Sequence, residues 1–263
     1  MSTVLALSLR RARTRIIAMA LGFGLFELVV GLSYASVDQN AIRSLVESLP
    51  PALRALAGSS DVASPSGYLG SGYLHPVALT IQGALVISMA SAPVRDIEDG
   101  WAELVLSRPF APWRWVLAQA AALAIALAVV DLGGFLGGLV AISSVDALGG
   151  ISPGALALVS LGGYLCFLAV GGLALAVGGL VRSGARAVGV AAGLVVVMYA
   201  VDYLAEIWTI AEPLGPLSVF HYYDPGVILG DGSIAGADVL VLAGTALVAA
   251  IAGHVLFERR ELA

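Results

Sequence analysis

The chain has 263 residues, 59% of them hydrophobic and only 12% charged, with a formal net charge of -5 and a mean hydropathy of +0.96. A soluble domain carries about 25% charged residues, so this chain lacks the charge to cover a water-facing surface. All thirteen basic residues are arginine, which excludes a phosphate loop of the kind whose lysine reaches the β/γ-phosphates. The single cysteine, Cys166, lies in an apolar run and excludes a disulfide framework or a CxxC metal site.

A bilayer core is crossed by about 20 apolar residues in a helix. Six runs meet this, at about 16–35, 76–94, 116–143, 154–181, 185–210 and 237–257, within one domain covering 1–263. The expected fold is therefore an all-α integral membrane protein, a bundle of six transmembrane helices. Before the first run, Leu5, Leu9 and Ala12 share one helical face and Ser8, Arg11 and Arg15 another. That pattern fits an N-terminal interfacial helix, or equally a basic flank that sets orientation. After the first run, Ile42, Leu45, Val46 and Leu49 recur at helical spacing up to Pro50-Pro51, predicting a surface amphipathic helix. A Ser/Gly-rich return follows it.

The arginines sort by side. Arg10, Arg11, Arg13 and Arg15 precede the first run, Arg95, Arg108 and Arg114 join the second to the third, Arg182 and Arg186 the fourth to the fifth, and Arg259 and Arg260 close the chain. Arg43 and Arg54 alone fall on the other side. Positive charge is retained on the cytoplasmic face, so both termini are expected there, in a multi-pass protein of the cell membrane. Gly133, Gly134, Gly137 and Gly138, and likewise Gly189 and Gly193, stand four apart, a spacing that lets membrane helices approach closely.

Between the second and third runs lies PVRDIEDGWAELVLSRPFAPWR, residues 93–114. It sets Arg95, Asp96, Glu98, Asp99, Glu103 and Arg108 among Ile97, Trp101, Leu104 and Val105. Asp96 is expected to cap a short helix that Pro109 ends. A solvated connector does not need an exposed Trp101 among charges, so the segment reads as a docking surface for a cytoplasmic partner. Glu27, Asp131 and Asp202 fall within apolar runs, where a carboxylate costs about 2.5–3.5 kcal/mol on insertion scales. They face protein or a water-filled path, except that Asp131 and Asp202 also fit the outer ends of their helices. For Glu27, midway along the first run, the alternatives are a place on a substrate path and a buried, hydrogen-bonded carboxyl. His75, His221 and His254 have no metal-ligand spacing. His221, Tyr222, Tyr223 and Trp208 suit an aromatic belt at the outer interface.

The order Glu98-x-Gly100-x-x-Glu103-Leu104-x-Leu106-Ser107-x-Pro109 resembles the cytoplasmic coupling segment of ABC-2-type transporter permeases. The closing Phe257-Glu258-Arg259-Arg260-Glu261-Leu262 and the opening Leu9-Arg10-Arg11-x-Arg13 are similar to that family's ends. Leu217-Ser218-x-Phe220-His221-Tyr222-Tyr223-x-Pro225 is similar to its loop before the last span. Trp101 departs from the family's small polar residue, and the basic cluster after Pro109 is reduced to Arg114.

The resemblance implies the membrane subunit of an ATP-driven exporter, with a short cytoplasmic coupling helix. Glu98, Trp101, Glu103, Leu104, Arg108 and Pro109 would dock a cytoplasmic ABC ATPase subunit, and a second permease protomer, identical or not, would complete the path. The chain itself would be no enzyme, without catalytic residues, metal or bound cofactor; ATP and Mg would sit on the partner ATPase. Membrane lipid is an expected partner and nucleic acid is not. The expected cargo is an antibiotic or other hydrophobic compound, with lipid, a sodium ion or a peptide as open alternatives. The competing class is a membrane-embedded enzyme or assembly factor that uses the intramembrane carboxylates.

Overall fold

Helix starts are written into this sequence as a capping residue followed by proline. Ser64-Pro65, His75-Pro76, Ser152-Pro153 and Asp224-Pro225 each open a helix, the cap side chain accepting a backbone N–H two or three residues on. The cap satisfies a donor with no partner in the helix, and proline has no N–H to satisfy. The computed structural model describes residues 2–48, 62–102 and 112–258. Among them the regular structure is entirely helical, as a lipid environment requires of backbone polar groups that must pair within their own segment.

The helices are α1 (Ser2–Tyr34), α2 (Gln39–Ser48), α3 (Pro65–Tyr73), α4 (Pro76–Ala90), α5 (Ala92–Glu98), α6 (Pro112–Ser144), α7 (Pro153–Gly178), α8 (Gly184–Ile207), α9 (Pro225–Asp231) and α10 (Gly236–Glu258). Six stretches are long and apolar enough to cross a membrane: Thr3–Tyr34, Pro65–Glu98, Arg114–Ser144, Pro153–Gly178, Gly184–Ile207 and Gly236–Phe257. The expected six-span, all-helical fold is what the structure has. Two details differ from the sequence reading. The N-terminal amphipathic turns are continuous with the first span in one 33-residue helix, about 50 Å long at 1.5 Å per residue. The second span is preceded by α3, from which it is separated by a break at Leu74-His75. The surface helix predicted after span one is present as α2, and the rest of that loop, 49–61, lies outside the described residues.

The central helix is α7, which packs on α4, α6, α8, α9 and α10. Leu156, Val159, Cys166, Phe167 and Val170 are buried along it; Cys166 is a packed thiol, its Sγ 3.8 Å from the Val219 carbonyl. The closest pairing is α1 against α6. A Cβ added at Gly24 would stand 2.6 Å from the Gly133 carbonyl oxygen, and one at Gly133 or Gly137 would run into the carbonyls of Ala20 or Gly24. The glycine pattern of α6 thus brings two backbones into contact, where dispersion replaces the hydrophobic drive that lipid does not supply. Gly189 and Gly193, read the same way from sequence, have nothing of the described residues within 4 Å; they bring no described helix close.

Gly137→Ala is expected to destabilise the protein by about 1–3 kcal/mol, the cost of overpacking a fitted contact, seen as a lower unfolding temperature of the purified chain in detergent. Gly189→Ala, in open space, is expected to leave that temperature unchanged.

Candidate functional sites at the two ends of the bundle

At the arginine-rich end, α5 leaves span two and is tied to three other helices. Ser8 of α1 donates to Gln119 Oε1 of α6 at 3.0 Å, and Gln119 Nε2 donates to Asp96 Oδ2 of α5 at 3.1 Å. Arg11 reaches Asp96 Oδ1 at 3.5 Å, and its guanidinium carbon sits 3.9 Å from the centre of the Trp101 ring. Trp101 is nonetheless 44% exposed. Arg95 donates to the Ser88 carbonyl at 2.7 Å. The Gly184 N–H at the start of α8 donates to Glu98 Oε2 at 2.6 Å. Glu98 therefore supplements the Ser183 cap of that helix, and its negative charge suits a helix N-terminus.

The sequence reading placed Asp96 at the cap of a helix running on toward Pro109. Instead α5 ends at Glu98 and Gly100 adopts φ 75, a left-handed backbone that side chains disfavour. That turn interrupts the helix ahead of Trp101 and Ala102, which are again helical. Asp96 is left inside α5, pointing at Gln119 and Arg11. Glu103, Leu104, Arg108 and Pro109 of the expected docking set lie outside the described residues, as do Arg259 to Leu262 of the closing motif.

The three carboxylates read from apolar runs fall in two places. Glu27 and Asp131 are buried, at 0% and 4% exposure, and none of their four oxygens has a hydrogen-bond partner among the described residues. The Tyr223 hydroxyl is likewise buried with no partner among the described residues. Glu27 Oε2 lies against α3, where a Cβ at Gly72 would be 2.7 Å away. Asp131 lies against α7: a Cβ at Gly163 would be 3.0 Å from the Tyr223 hydroxyl and 3.4 Å from Asp131 Oδ1.

Asp202 is separate from both, near the end of α8, with Oδ1 3.7 Å from His221 Nδ1. It borders a cavity of about 460 Å³ between α3, α8 and the segment around 220–226. Tyr223, expected in an interfacial belt, is only 3% exposed and forms part of that cavity's wall. Burial first, then Tyr73 and Asp131, push its hydroxyl well above the ordinary phenol pKa, so it stays a neutral donor. Sequence reading passed over Tyr199, Tyr203 and Glu206 of the same wall. The signal was present: residues 199, 202, 203 and 206 stand at i, i+3, i+4 and i+7, one face of a helix.

Residues 1–258 match the family model described as "multidrug efflux system permease Rv1217c, C-terminal domain". The chain belongs to that permease family. No curated protein and no solved structure matches it. The permease is thus a multi-pass membrane protein of an efflux family, with a tied, arginine-rich end and an acidic, aromatic cavity at the other.

In the permease, Glu98→Ala removes the second cap of α8. It is expected to cost about 1 kcal/mol and to speed amide hydrogen exchange over 184–187, while exchange at the far end of α8 is unchanged.

Proposed function

We propose that this permease is the membrane subunit of an ABC-2-type exporter, taking its energy from a separate cytoplasmic ABC ATPase that binds at the arginine-rich end. The observation that carries the reading is the exposed Trp101, presented by the Gly100 turn, in a family whose printed description is a multidrug efflux permease. Aromatic side chains half-exposed at a rigid, charged end are the anchors that interfaces use. The stacked Arg11 and the Ser8–Gln119–Asp96 chain hold α5, the segment leading to it. In this reading Glu103, Leu104, Arg108 and Pro109 extend the docking surface, and both termini are cytoplasmic by the arginine distribution. ATP and Mg belong to the ATPase, because the chain has no lysine to build a phosphate loop. A second permease copy or homologue completes the translocation path.

The same geometry supplies a route for force. α5 is bonded to the first residue of α8 through Glu98, and α8 carries Asp202 to the cavity at the opposite end. A helix transmits displacement along its axis because its backbone bonds are internal. Movement of the docked ATPase would therefore reach the cavity wall through one rigid element. Glu27 and Asp131 lie beside the path, and the cargo is a hydrophobic compound of the antibiotic type.

Trp101→Ala is expected to weaken capture of the co-purifying ATPase at least tenfold, about 2 kcal/mol for an interface anchor, and to abolish substrate-stimulated hydrolysis in liposomes. Charge reversal of Glu103 is expected to slow association more than it weakens the final complex. Wild-type capture and stimulation in both variants would leave residues 93–109 a simple connector.

A further inference from the structure

We propose that Glu27, Tyr73, Asp131 and Tyr223 form a proton-binding site in the core of the bundle, loaded from the Asp202 cavity through the Tyr223 hydroxyl. The inference goes beyond the exporter reading and does not depend on it.

Buried polar atoms in folded proteins nearly always have hydrogen-bond partners. In this core Glu27, Gln82, Asp131 and Tyr223 each carry a buried side-chain atom with none among the described residues. The buried hydroxyls of Tyr73 and Ser160 have only each other. All of these atoms are oxygens. They come from α1, α3, α4, α6, α7 and the segment before α9, so no one helix accounts for them by its local geometry. Gln82, on the face of α4 that also buries Ala78, Leu85 and Met89, adds an acceptor and no ionisable group.

Three glycines on three helices leave these oxygens room. A Cβ at Gly72 of α3 would stand 2.7 Å from Glu27 Oε2, and one at Gly138 of α6 would stand 3.0 Å from the Tyr73 hydroxyl. One at Gly163 of α7 would stand 3.0 Å from the Tyr223 hydroxyl and 3.4 Å from Asp131 Oδ1. Tyr73 faces Glu27, Ser160 and Asp131, and Tyr223 faces Tyr73, Asp131 and Glu27. The four groups are thus one cluster, two acids with two phenols between them. Of the four, Tyr223 also borders the Asp202 cavity, which makes it the entrance.

A carboxylate buried without a counter-charge is neutralised by a proton or by a bound cation. Besides the groups of the cluster, Tyr164 and Cys166 of α7 face Asp131. Each of these is neutral when protonated, and none brings positive charge. A metal ion needs its oxygens gathered about one point. Here Glu27 lies against α3 and Asp131 against α7, with hydroxyls between them, and no three metal-ligating side chains gather among the described residues. Carboxyls joined by hydroxyls are instead the composition of a proton relay in a membrane.

The transfer balances. A hydronium ion in the cavity gives its proton to the Tyr223 oxygen while the Tyr223 hydroxyl proton passes to Asp131. Water is left behind, Tyr223 is neutral as before, and the carboxylate has become a carboxyl. Tyr73 serves Asp131 and Glu27 in the same way. Asp131 and Tyr223 are not hydrogen-bonded to one another, so the step between them takes a small side-chain rotation or a bridging water.

The test is infrared spectroscopy of the purified chain in a detergent without carbonyl groups. Protonated carboxyls should absorb at neutral pH, one band missing in Glu27→Gln and another in Asp131→Asn. On transfer to D2O both bands should shift in the unmodified chain, as their protons are replaced by deuterons. In Tyr223→Phe, which removes a hydroxyl and no hydrogen bond of the described residues, both shifts should slow at least about tenfold, the least that loss of a positioned proton-transfer group costs. The unfolding temperature and the amide exchange of α7 should be unchanged there. In Tyr73→Phe the Glu27 shift alone should slow. Absence of both bands would mean ionised acids held by a cation from solution. Bands that never shift would mean a sealed core, and a shift as fast in Tyr223→Phe would mean another entrance. Each of these overturns the proposal. The assay uses neither ATPase nor nucleotide, so its failure leaves the exporter reading untouched, and failure of ATPase capture leaves this site untouched.

Discussion

The direct contact of two backbones, α1 on α6 at Gly24, Gly133 and Gly137, is the constraint on which the other placements depend. Lipid offers apolar helices no reason to associate, so close approach must be made by removing side chains where helices meet. Once α1 is held against α6, Phe23 packs on the face of Gly134 and Tyr73. Glu27, one turn further on, is then carried into the interior beside α3. Ser8 and Arg11, at the other end of the same helix, are delivered to Gln119, Asp96 and Trp101. One straight helix therefore sets both the buried acids and the charged end.

The two ends differ in how their charges are compensated. At the arginine-rich end every acid of α5 that faces protein is engaged: Asp96 by Gln119 and Arg11, Glu98 by the Gly184 N–H. Such a network is rigid, which suits a surface that must transmit force. At the other end Asp202, Glu206 and Asp224 border one cavity with Tyr199, Tyr203 and Phe220, an acidic and aromatic wall. In the proposed mechanism α8 joins the two, since its first residue is bonded to Glu98 and its last two turns carry Asp202 and Glu206.

Much of this was legible in the sequence, for physical reasons that apply to membrane proteins in particular. Spans follow from the length of apolar runs, and helix starts from the Ser-Pro, His-Pro and Asp-Pro pairs. The close contact of α1 and α6 follows from glycines four apart. The same pattern at Gly189 and Gly193 meets no helix among the described residues, because spacing shows that approach is possible and does not supply a neighbour. Asp96 was misread as a cap because its geometry is decided by Gly100, whose left-handed turn is invisible to a search for acid-x-x-acid spacing. Tyr223 was assigned to an interfacial belt by residue type, and packing against α7 decided otherwise. Tyr199, Asp202, Tyr203 and Glu206 share one face of α8 by their spacing, but a span is defined by its apolar periodicity, and a polar stripe within it gives no sign of the cavity it borders.

The central claim is that the arginine-rich end moves the cavity wall through the Glu98 link to α8. The direct measurement is the distance between spin labels at Ser71→Cys on α3 and Ala205→Cys on α8, in a Cys166→Ala background, by pulsed electron resonance with the ATPase bound. The account predicts one distance without nucleotide and a second with a non-hydrolysable ATP analogue. In Glu98→Ala the ATPase should remain bound and the distance should stay at its nucleotide-free value. A distance that ignores nucleotide in the unmodified chain, or that shifts fully in Glu98→Ala, would contradict it.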